Sequence, residues 1–420
     1  MTTARPHVAI LGSGFGGLEA AYLLAMRLGD RADLTLVSDE PRFLFKPNTI
    51  YVPFGLDPER LRVDIAGPAR RRGITFLDGH VREIDPERRR VRGGGLRLSY
   101  DFLVLATGAT TRPEDVPGLA QHGHTIWTVE DLLRLRGAFA RLAEATGSGE
   151  RRRVLFLVPP GNRCSGPLYE IVFMLDTWLR RRGAREGADL TWTTYETGYV
   201  QAFGPRLDTM VQAEFARRGI TGHRGYVVDH VEPGRVVFAD DQRLGYDLLV
   251  SFPPYAAATT YAGLEADDRG FLATDEASRR LPGHPEVYAV GDTADFPVKQ
   301  AFLALLQADV AAELIAAEVM GKSTEARFDP TSMCVMEQLD TAIFAQVPLR
   351  ATGRPEAPVE VRQELVRRYR VGMSPAWRLG KRLLGWYLPW RFQSGRPFHA
   401  GAPWTGMELG LNVMSRLLAA

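Results

Sequence analysis

Apolar and polar residues alternate in blocks from the start of the chain. His7–Leu11 is a short apolar run, residues 18–28 repeat apolar positions at helical spacing, and residues 34–37 are apolar again. Short apolar runs separated by helical stretches predict βαβ units and a parallel sheet. The pattern returns further on: Tyr246-Asp247-Leu248-Leu249-Val250-Ser251 echoes Tyr100-Asp101-Phe102-Leu103-Val104-Leu105, as a pseudo-repeat of two such units would. Residues 83–99 predict a small hairpin turning at Gly93-Gly94-Gly95, and residues 42–51 (RFLFKPNTIY), aromatic and broken by Pro-Asn, predict a loop. Helices are predicted over residues 169–179 and 301–320.

The helix at 169–179 carries both of its boundary signals. Gly166 and Pro167 suit its entry, Arg180, Arg181 and Arg182 complement its negative end, and Gly183 stops it. Cys164 lies just upstream, near the positive terminus, where a thiolate is stabilised and the thiol pKa is expected to fall. The plainer alternative is a small buried apolar residue.

After residue 326 the pattern changes. Four of seven Trp (377, 386, 390, 404) fall in the last 44 residues, and past Glu364 the only acidic residue is Glu408. Leu379, Leu383, Trp386 and Trp390 share one helical face beside Arg378, Lys381 and Arg382, and Met407, Leu411, Met414 and Leu418 form a second stripe. This pattern predicts helices lying in a membrane interface; a core-packed helix pair or a dimer interface is the alternative.

Composition narrows the class. A chain of 420 residues predicts two or three domains, and 45% hydrophobic with 24% charged residues is ordinary for a soluble globular protein. A net charge of +2 gives no argument for nucleic acid, and the excess of Arg over Lys reads as genomic bias. The only two cysteines, Cys164 and Cys334, are too far apart for a CxxC site, and no metal-ligand spacing appears. No secretory signal precedes the first strand and no run reaches about 18 apolar residues, so a cytoplasmic protein without a membrane span is expected.

Gly12-Ser13-Gly14-Phe15-Gly16-Gly17 joins the first strand to the first helix, which is the context that makes a GxGxxG a dinucleotide site. Gly12 makes the turn, Gly14 admits the pyrophosphate and Gly17 allows close packing. Ser38-Asp39-Glu40 follows the second strand, and Asp39 is the expected ribose acceptor, with Glu40 as alternate. Residues 153–158 form a second strand of the same kind, but it leads into Pro159-Pro160-Gly161-Asn162-Arg163-Cys164, without a second GxGxxG.

The glycine loop, the Ala106-Thr107-Gly108 segment and Gly291-Asp292 resemble, in that order, the two-dinucleotide-binding-domain flavoproteins. Cys164-Ser165-Gly166-Pro167-Leu168-Tyr169-Glu170 resembles the CxGPxYE segment of sulfide:quinone oxidoreductases and flavocytochrome c sulfide dehydrogenases. Lys46-Pro47-Asn48 resembles their FxFxPSN segment, Lys299 their lysine near the flavin pyrimidine edge, and Cys334 their second redox cysteine. Two departures stand out: Trp127-Thr128-Val129-Glu130-Asp131 lacks the family's third Cys and a His, and Tyr199-Val200-Gln201-Ala202 lacks a second His.

The resemblance implies an α/β fold of two Rossmann-like domains plus an amphipathic C-terminal membrane-associating region. The domains would be 1–111 and 263–328 for FAD, 112–262 for the inserted second unit, and 329–420 at the C-terminus. FAD would be held by Gly12, Gly14, Gly17, Ser38, Asp39, Lys46, Asn48, Val81, Thr107, Gly108, Gly291, Asp292 and Lys299. Cys164 and Cys334 would oxidise sulfide, with Glu170 either a base or a first-turn carboxylate favouring the helix dipole. Electrons would pass to a quinone near Phe344, Tyr387, Phe392 and Phe398. Peripheral attachment on the cytoplasmic side follows from this reading, and a homo-oligomer is left open. A type II NADH:quinone oxidoreductase and a non-catalytic flavin-binding redox sensor are the competing readings.

Overall fold

In the computed structural model, which describes residues 5–81 and 83–419, two parallel sheets and a C-terminal antiparallel sheet carry the chain. The first sheet has the order Arg280–Leu281, His284–Ala289, Phe102–Leu105, His7–Leu11, Asp33–Ser38, Ile74–Asp78; only its first pair is antiparallel. Leu11 pairs with both Val37 and Leu105, so the segments that follow these strands emerge at one carboxyl edge. Ligands of open parallel sheets bind at that edge.

The second sheet runs His124–Thr125, Leu248–Ser251, Arg152–Val158, Ala188–Thr194, Thr221–Arg224, all parallel. The pseudo-repeat has a structural basis. Asp101 accepts the His7 amide and Asp247 the Arg153 amide, each at 2.7 Å, so the Asp of each Tyr-Asp pair ties down the start of its central strand.

The helix predicted over 169–179 extends over Gly166–Arg180, and the one predicted over 301–320 is Ala301–Val319. Arg180 does more than complement the dipole: with Arg185 and Arg218 it surrounds Asp176, which is fully buried. Arg218 also reaches Glu214 and Asp340, tying the cysteine helix to the helix Gly204–Arg218 and to the C-terminal sheet. The TVED segment caps the helix Val129–Gly147 through reciprocal Thr128 and Asp131 bonds, a role that needs neither Cys nor His.

Residues 42–51 are not a loop. Arg42–Leu44 pairs with Arg62–Asp64, and Lys46–Phe54 forms a 3-10 helix that buries Ile50, Val52 and Pro53. Pro47 and Pro53 are tolerated there because short 3-10 turns leave few amides needing partners. The predicted hairpin at 83–99 has three strands, Glu83–Asp85, Arg90–Gly93 and Leu96–Ser99, and the last two are joined through Gly94 and Gly95.

Cys334 sits on Thr331–Glu337, which pairs antiparallel with Ala342–Ala351. Two helices close the chain, Pro375–Gln393 and Ala402–Leu418. Among the described residues no helix is long and apolar enough to cross a membrane. Leu379, Leu383 and Trp386 on the first helix, and Leu409, Val413 and Leu417 on the second, are 48–76% exposed. The second exposed row differs from the predicted stripe: Met407 and Met414 pack against the protein and Leu411 lines an internal cavity. Lys381 is likewise buried rather than facing outward.

Candidate active site

One cavity of about 990 Å³ runs along the carboxyl edge of the first sheet and on between the two sheets. Gly12, Gly14, Ser38, Asp39, Lys46, Asn48, Val81, Thr107, Gly108, Gly291, Asp292 and Lys299 line it, together with Cys164, Glu170 and Cys334. Gly17 stands behind it, as its packing role requires: a Cβ there would lie 1.8 Å from the Gly12 carbonyl oxygen. A Cβ on Gly14 would meet nothing within 4 Å, so this cradle is open to a phosphate. Gly12 has φ +101°, and a Cβ would lie 2.3 Å from the Ala106 carbonyl oxygen. Gly12→Ala is therefore expected to purify without nucleotide cofactor, read as loss of the bound cofactor's absorbance against wild type.

Ser13 and Ser38 share a hydroxyl–hydroxyl hydrogen bond of 2.7 Å beneath the loop, and Asp39 stands exposed beside His80. Deeper in, burial lowers Lys46 to about 8 and Lys299 to about 7, against the attraction of Asp292. Burial raises Asp292 and the two lysines oppose it. Lys46 lies 3.4 Å over the ring of Trp127, which packs on Phe252 and Tyr255 to form one aromatic wall.

Cys164 and Cys334 come together at the inner part of the cavity as free thiols. A Cβ on Gly166 would lie 4.0 Å from the Cys334 sulfur, so the cysteine strand rests on the first turn of the cysteine helix. Asn162 fixes the Cys164 loop: its side chain accepts the Cys164 amide at 3.0 Å and donates to the Phe252 carbonyl at 2.8 Å. Gln300 fixes the strand, donating to the Met333 carbonyl at 3.0 Å and accepting from Ser332 at 2.6 Å. Neither residue was signalled by spacing, although Gln300 directly follows Lys299.

The expected depression of the Cys164 thiol is reversed. Burial pushes it up, aided by the neighbouring Cys334, Asp292 and Glu170, and the Gly166 amide offsets only part. Burial also pushes Cys334 up to about 12, with Glu170 adding to the rise and Lys381 opposing it. Desolvation of a thiolate outweighs one helix terminus.

Glu170 is neither a solvated base nor a simple first-turn carboxylate. Lys381, from the helix Pro375–Gln393, forms a buried ion pair with it and donates to the Val335 carbonyl at 2.9 Å, and the Glu337 amide donates to Glu170 at 3.0 Å. Burial raises its pKa and Lys381 opposes the rise. Glu337, fully buried, accepts from Arg378 at 2.6 Å and from the Tyr51 hydroxyl at 2.7 Å. Two basic residues assigned by sequence to a membrane-facing surface thus reach inward to the cysteine site.

Of the four aromatic residues expected near a quinone, only Phe398 lines the cavity. Phe344 stacks on Trp377 in the core at 4.0 Å, Phe392 packs between Tyr22 and Phe43, and Tyr387 is buried against Phe398 and Trp390. The apolar end of the cavity is formed instead by Leu384, Leu388, Phe398, Trp404 and Leu411. A Cβ on Gly385 would lie 2.5 Å from the Asn48 side chain, so the absence of one lets the helix approach the Lys46-Pro47-Asn48 segment.

Behind this end, Glu19 accepts the amides of Phe398 at 2.6 Å and His399 at 3.0 Å, and His399 bonds Asp309 at 2.5 Å. No linear spacing could have shown this junction, since its parts come from the first helix, the helix Ala301–Val319 and the C-terminal segment. Burial raises Glu19 to about 8 and Asp309 to about 7, with Asp309 adding to the rise of Glu19, His399 opposing it, and Glu313 and Arg27 acting oppositely on Asp309. Carboxyls whose folded pKa exceeds the unfolded value stabilise below the unfolded pKa, and lose that contribution as pH rises through the folded value. Protection of residues 394–401 from limited proteolysis is expected to fall progressively as pH rises from about 5 to about 8, and Glu19→Gln to flatten that dependence.

The family model for pyridine nucleotide-disulphide oxidoreductases matches residues 6–148 and 184–313; residues 149–183, with Cys164, lie outside the match. The chain is similar to the sulfide-quinone reductase of Aquifex aeolicus, 31% identical over 243 residues, covering 56% of this chain and 54% of that protein. It thus spans about half the length of that relative. It is also similar to the type II NADH:quinone oxidoreductase Ndh of Mycobacterium tuberculosis, 26% identical over 386 residues, covering 83% of this chain and 81% of that protein. The solved sulfide:quinone oxidoreductase of Aquifex aeolicus shares the fold at a TM-score of 0.83 and 21% identity, covering 97% of this chain and 95% of that one. The protein belongs to the pyridine nucleotide-disulphide oxidoreductase family, as an oxidoreductase built on two Rossmann-like units.

Proposed function

We propose that the protein is an FAD-dependent sulfide:quinone oxidoreductase working at a membrane surface. The observation that carries this reading is the meeting of Cys164 and Cys334, the only cysteines of the chain, in the cavity that begins at the glycine loop. The open cradle at Gly14, the Asp39 carboxylate and Asp292 fit the pyrophosphate, ribose and ribityl parts of FAD, and Lys46 and Lys299 supply cations farther along. When bound there, FAD supplies a two-electron acceptor for thiol chemistry and a donor for a quinone.

The residues divide the work. With the two cysteines joined as a disulfide, hydrosulfide attacks one sulfur and the S–S bond breaks. One cysteine then carries a persulfide and the other is a thiolate, and the electron pair has left the sulfide. Asn162 and Gln300 hold the two cysteine segments in place, and Lys381 offsets the negative charge that burial disfavours. The apolar end at Leu384, Leu388, Phe398, Trp404 and Leu411 suits a quinone ring and its tail, and the exposed apolar rows of the last two helices suit a lipid surface.

Similarity to a type II NADH:quinone oxidoreductase over 83% of the chain supports a second reading. It is weakened where Pro159 and Pro160 replace loop glycines and Arg269 lies 3.1 Å from the position of a Cβ on Gly161. Anaerobic mixing decides between them: sulfide is expected to bleach the flavin absorbance within the turnover time, and NADH to leave it unchanged. Bleaching by NADH alone would overturn the sulfide reading.

A further inference from the structure

Part of the cavity wall is built from the segment that follows the strand Ala188–Thr194, and Tyr195, Glu196, Val200 and Gln201 line the cavity there. This wall is tied to the Cys164 loop. The Tyr195 hydroxyl donates to the Asn162 carbonyl at 3.4 Å, and the Ser165 hydroxyl reaches the Glu196 carboxylate. Glu196 is otherwise held by neutral donors, the Thr194 hydroxyl at 3.1 Å and the Gln201 amide at 3.0 Å. The other carboxylates beside the cysteines face cations, Glu170 that of Lys381 and Asp292 those of Lys299 and Lys46.

The wall is also strained. Val200 has φ 50° and ψ 51°, the left-handed region that a β-branched residue rarely adopts. It is buried, and its amide donates to the Tyr169 hydroxyl at 3.3 Å while Glu196 grips the amide that follows it. Strained backbone persists where surrounding structure over-determines it, and it clusters at working sites.

The charges around Glu196 come from several elements. Tyr169 stands on the cysteine helix, Tyr195 beside it, and Asp208 on the helix Gly204–Arg218, where Arg224 pairs with Asp208. Arg163 faces Tyr195, and Gln201 donates to the carbonyl of exposed Glu356 at 3.2 Å, forming a rim of the cavity. Burial pushes Glu196 up to about 7; Asp208 adds to the rise, and the Gln201 amide and the Thr194 and Ser165 hydroxyls oppose it. A carboxyl so placed can accept and release a proton near neutral pH.

We propose that Glu196 is the base that prepares the sulfur nucleophile, taking a proton from hydrogen sulfide inside the cavity so that hydrosulfide forms beside the cysteine pair. This inference rests on the sulfide reading above. Neutral hydrogen sulfide enters the cavity without the desolvation cost of its anion. There an S–H bond breaks, an O–H bond forms on Glu196, and the electron pair stays on sulfur. Hydrosulfide then attacks the disulfide as described, and Glu196 returns the proton to water at the Gln201–Glu356 rim.

The test is the rate at which sulfide bleaches the flavin of the purified flavoprotein, followed by stopped flow from about pH 6 to about pH 9. Glu196→Gln keeps the shape and still accepts the Gln201 amide. It is expected to be slowed about a hundredfold near pH 6, the size of a general-base effect, and progressively less toward pH 9, where the solution supplies hydrosulfide. A purely structural tie has the opposite sign, because a carboxyl with a raised folded value is charged only at higher pH, where its loss would then be felt most. Glu196→Asp keeps a carboxylate and is expected to regain part of the acid rate.

An unchanged acid rate in Glu196→Gln, a deficit that is flat or grows with pH, or a Glu196→Asp protein no faster than Glu196→Gln overturns the base and leaves the sulfide reading standing. If Glu196→Gln does not hold flavin, the pH trend of Glu196→Asp against wild type decides in the same way. Wild type that sulfide fails to bleach at any pH overturns the sulfide reading and the base with it.

Discussion

Cys334→Ser is expected to lose sulfide-driven quinone reduction by roughly three orders of magnitude or more, while the protein keeps its flavin. Serine matches cysteine in shape, and the strand Thr331–Glu337 is held by Gln300 at Ser332 and Met333 rather than by the thiol, so the fold should survive. A hydroxyl cannot form the disulfide that hydrosulfide attacks, and the electron pair then has no route out of the sulfide. Cys164→Ser should fail as badly, and the double variant no worse, because residues acting as one unit lose their effect together. Stopped-flow reduction by sulfide, followed at the flavin absorbance, measures the step directly. Substantial turnover in either variant removes that cysteine from the mechanism and overturns the disulfide route.

Lys381→Met should be the most costly change outside the cysteines. Glu170 and Lys381 are both more than nine-tenths buried, and removing the cation leaves the carboxylate with one amide partner, that of Glu337. Breaking a buried pair from one side costs about 3–5 kcal/mol unless the remaining group takes up a proton. Burial already raises Glu170 and Lys381 is the first influence opposing that rise, so proton uptake is the expected escape. A raised folded pKa means that stability is kept at acid pH and lost as pH rises through the folded value. The deficit of the variant should therefore be small in acid and grow toward alkaline pH, and adding Glu170→Gln should repair it. A deficit independent of pH, or one that Glu170→Gln leaves in place, would defeat this account. Because Lys381 also opposes the rise of Cys334, alkylation of that thiol at fixed pH should slow in Lys381→Met.

This ion pair changes what the last helices mean. Read alone, Arg378, Lys381 and Arg382 form a basic flank for a membrane helix. In the folded protein Arg378 and Lys381 neutralise Glu337 and Glu170, and Gly385 admits Asn48, so the helix is built into the cysteine site along one side. Its opposite side, with Leu379, Leu383 and Trp386, is left outward. A helix with cations on its inner face joins the sulfur end of the cavity to its apolar end.

Local chemistry made much of the frame legible. The glycine loop, the Tyr-Asp pseudo-repeat and the Gly291-Asp292 turn depend on φ, on strand period and on capping within a few residues, and those constraints are written in neighbouring positions. What the sequence misplaced was set by burial and by distant partners. The Cys164 thiol rises because the cavity removes water from it, and no helix-end rule contains that term. Phe344 stacks on Trp377 and Phe392 fills a gap beside Tyr22, because packing is decided by which elements meet.

By itself, then, the sequence determined two parallel sheets with a nucleotide edge, one cysteine before a helix and one far downstream, and an amphipathic end. Only the tertiary structure decided that Glu170 belongs to Lys381, 211 residues away, and that Glu19 anchors His399. The physical reason is the same in each case. Desolvation and pairing energies depend on neighbours brought by folding, and a separation of hundreds of residues leaves no period, spacing or cap to read.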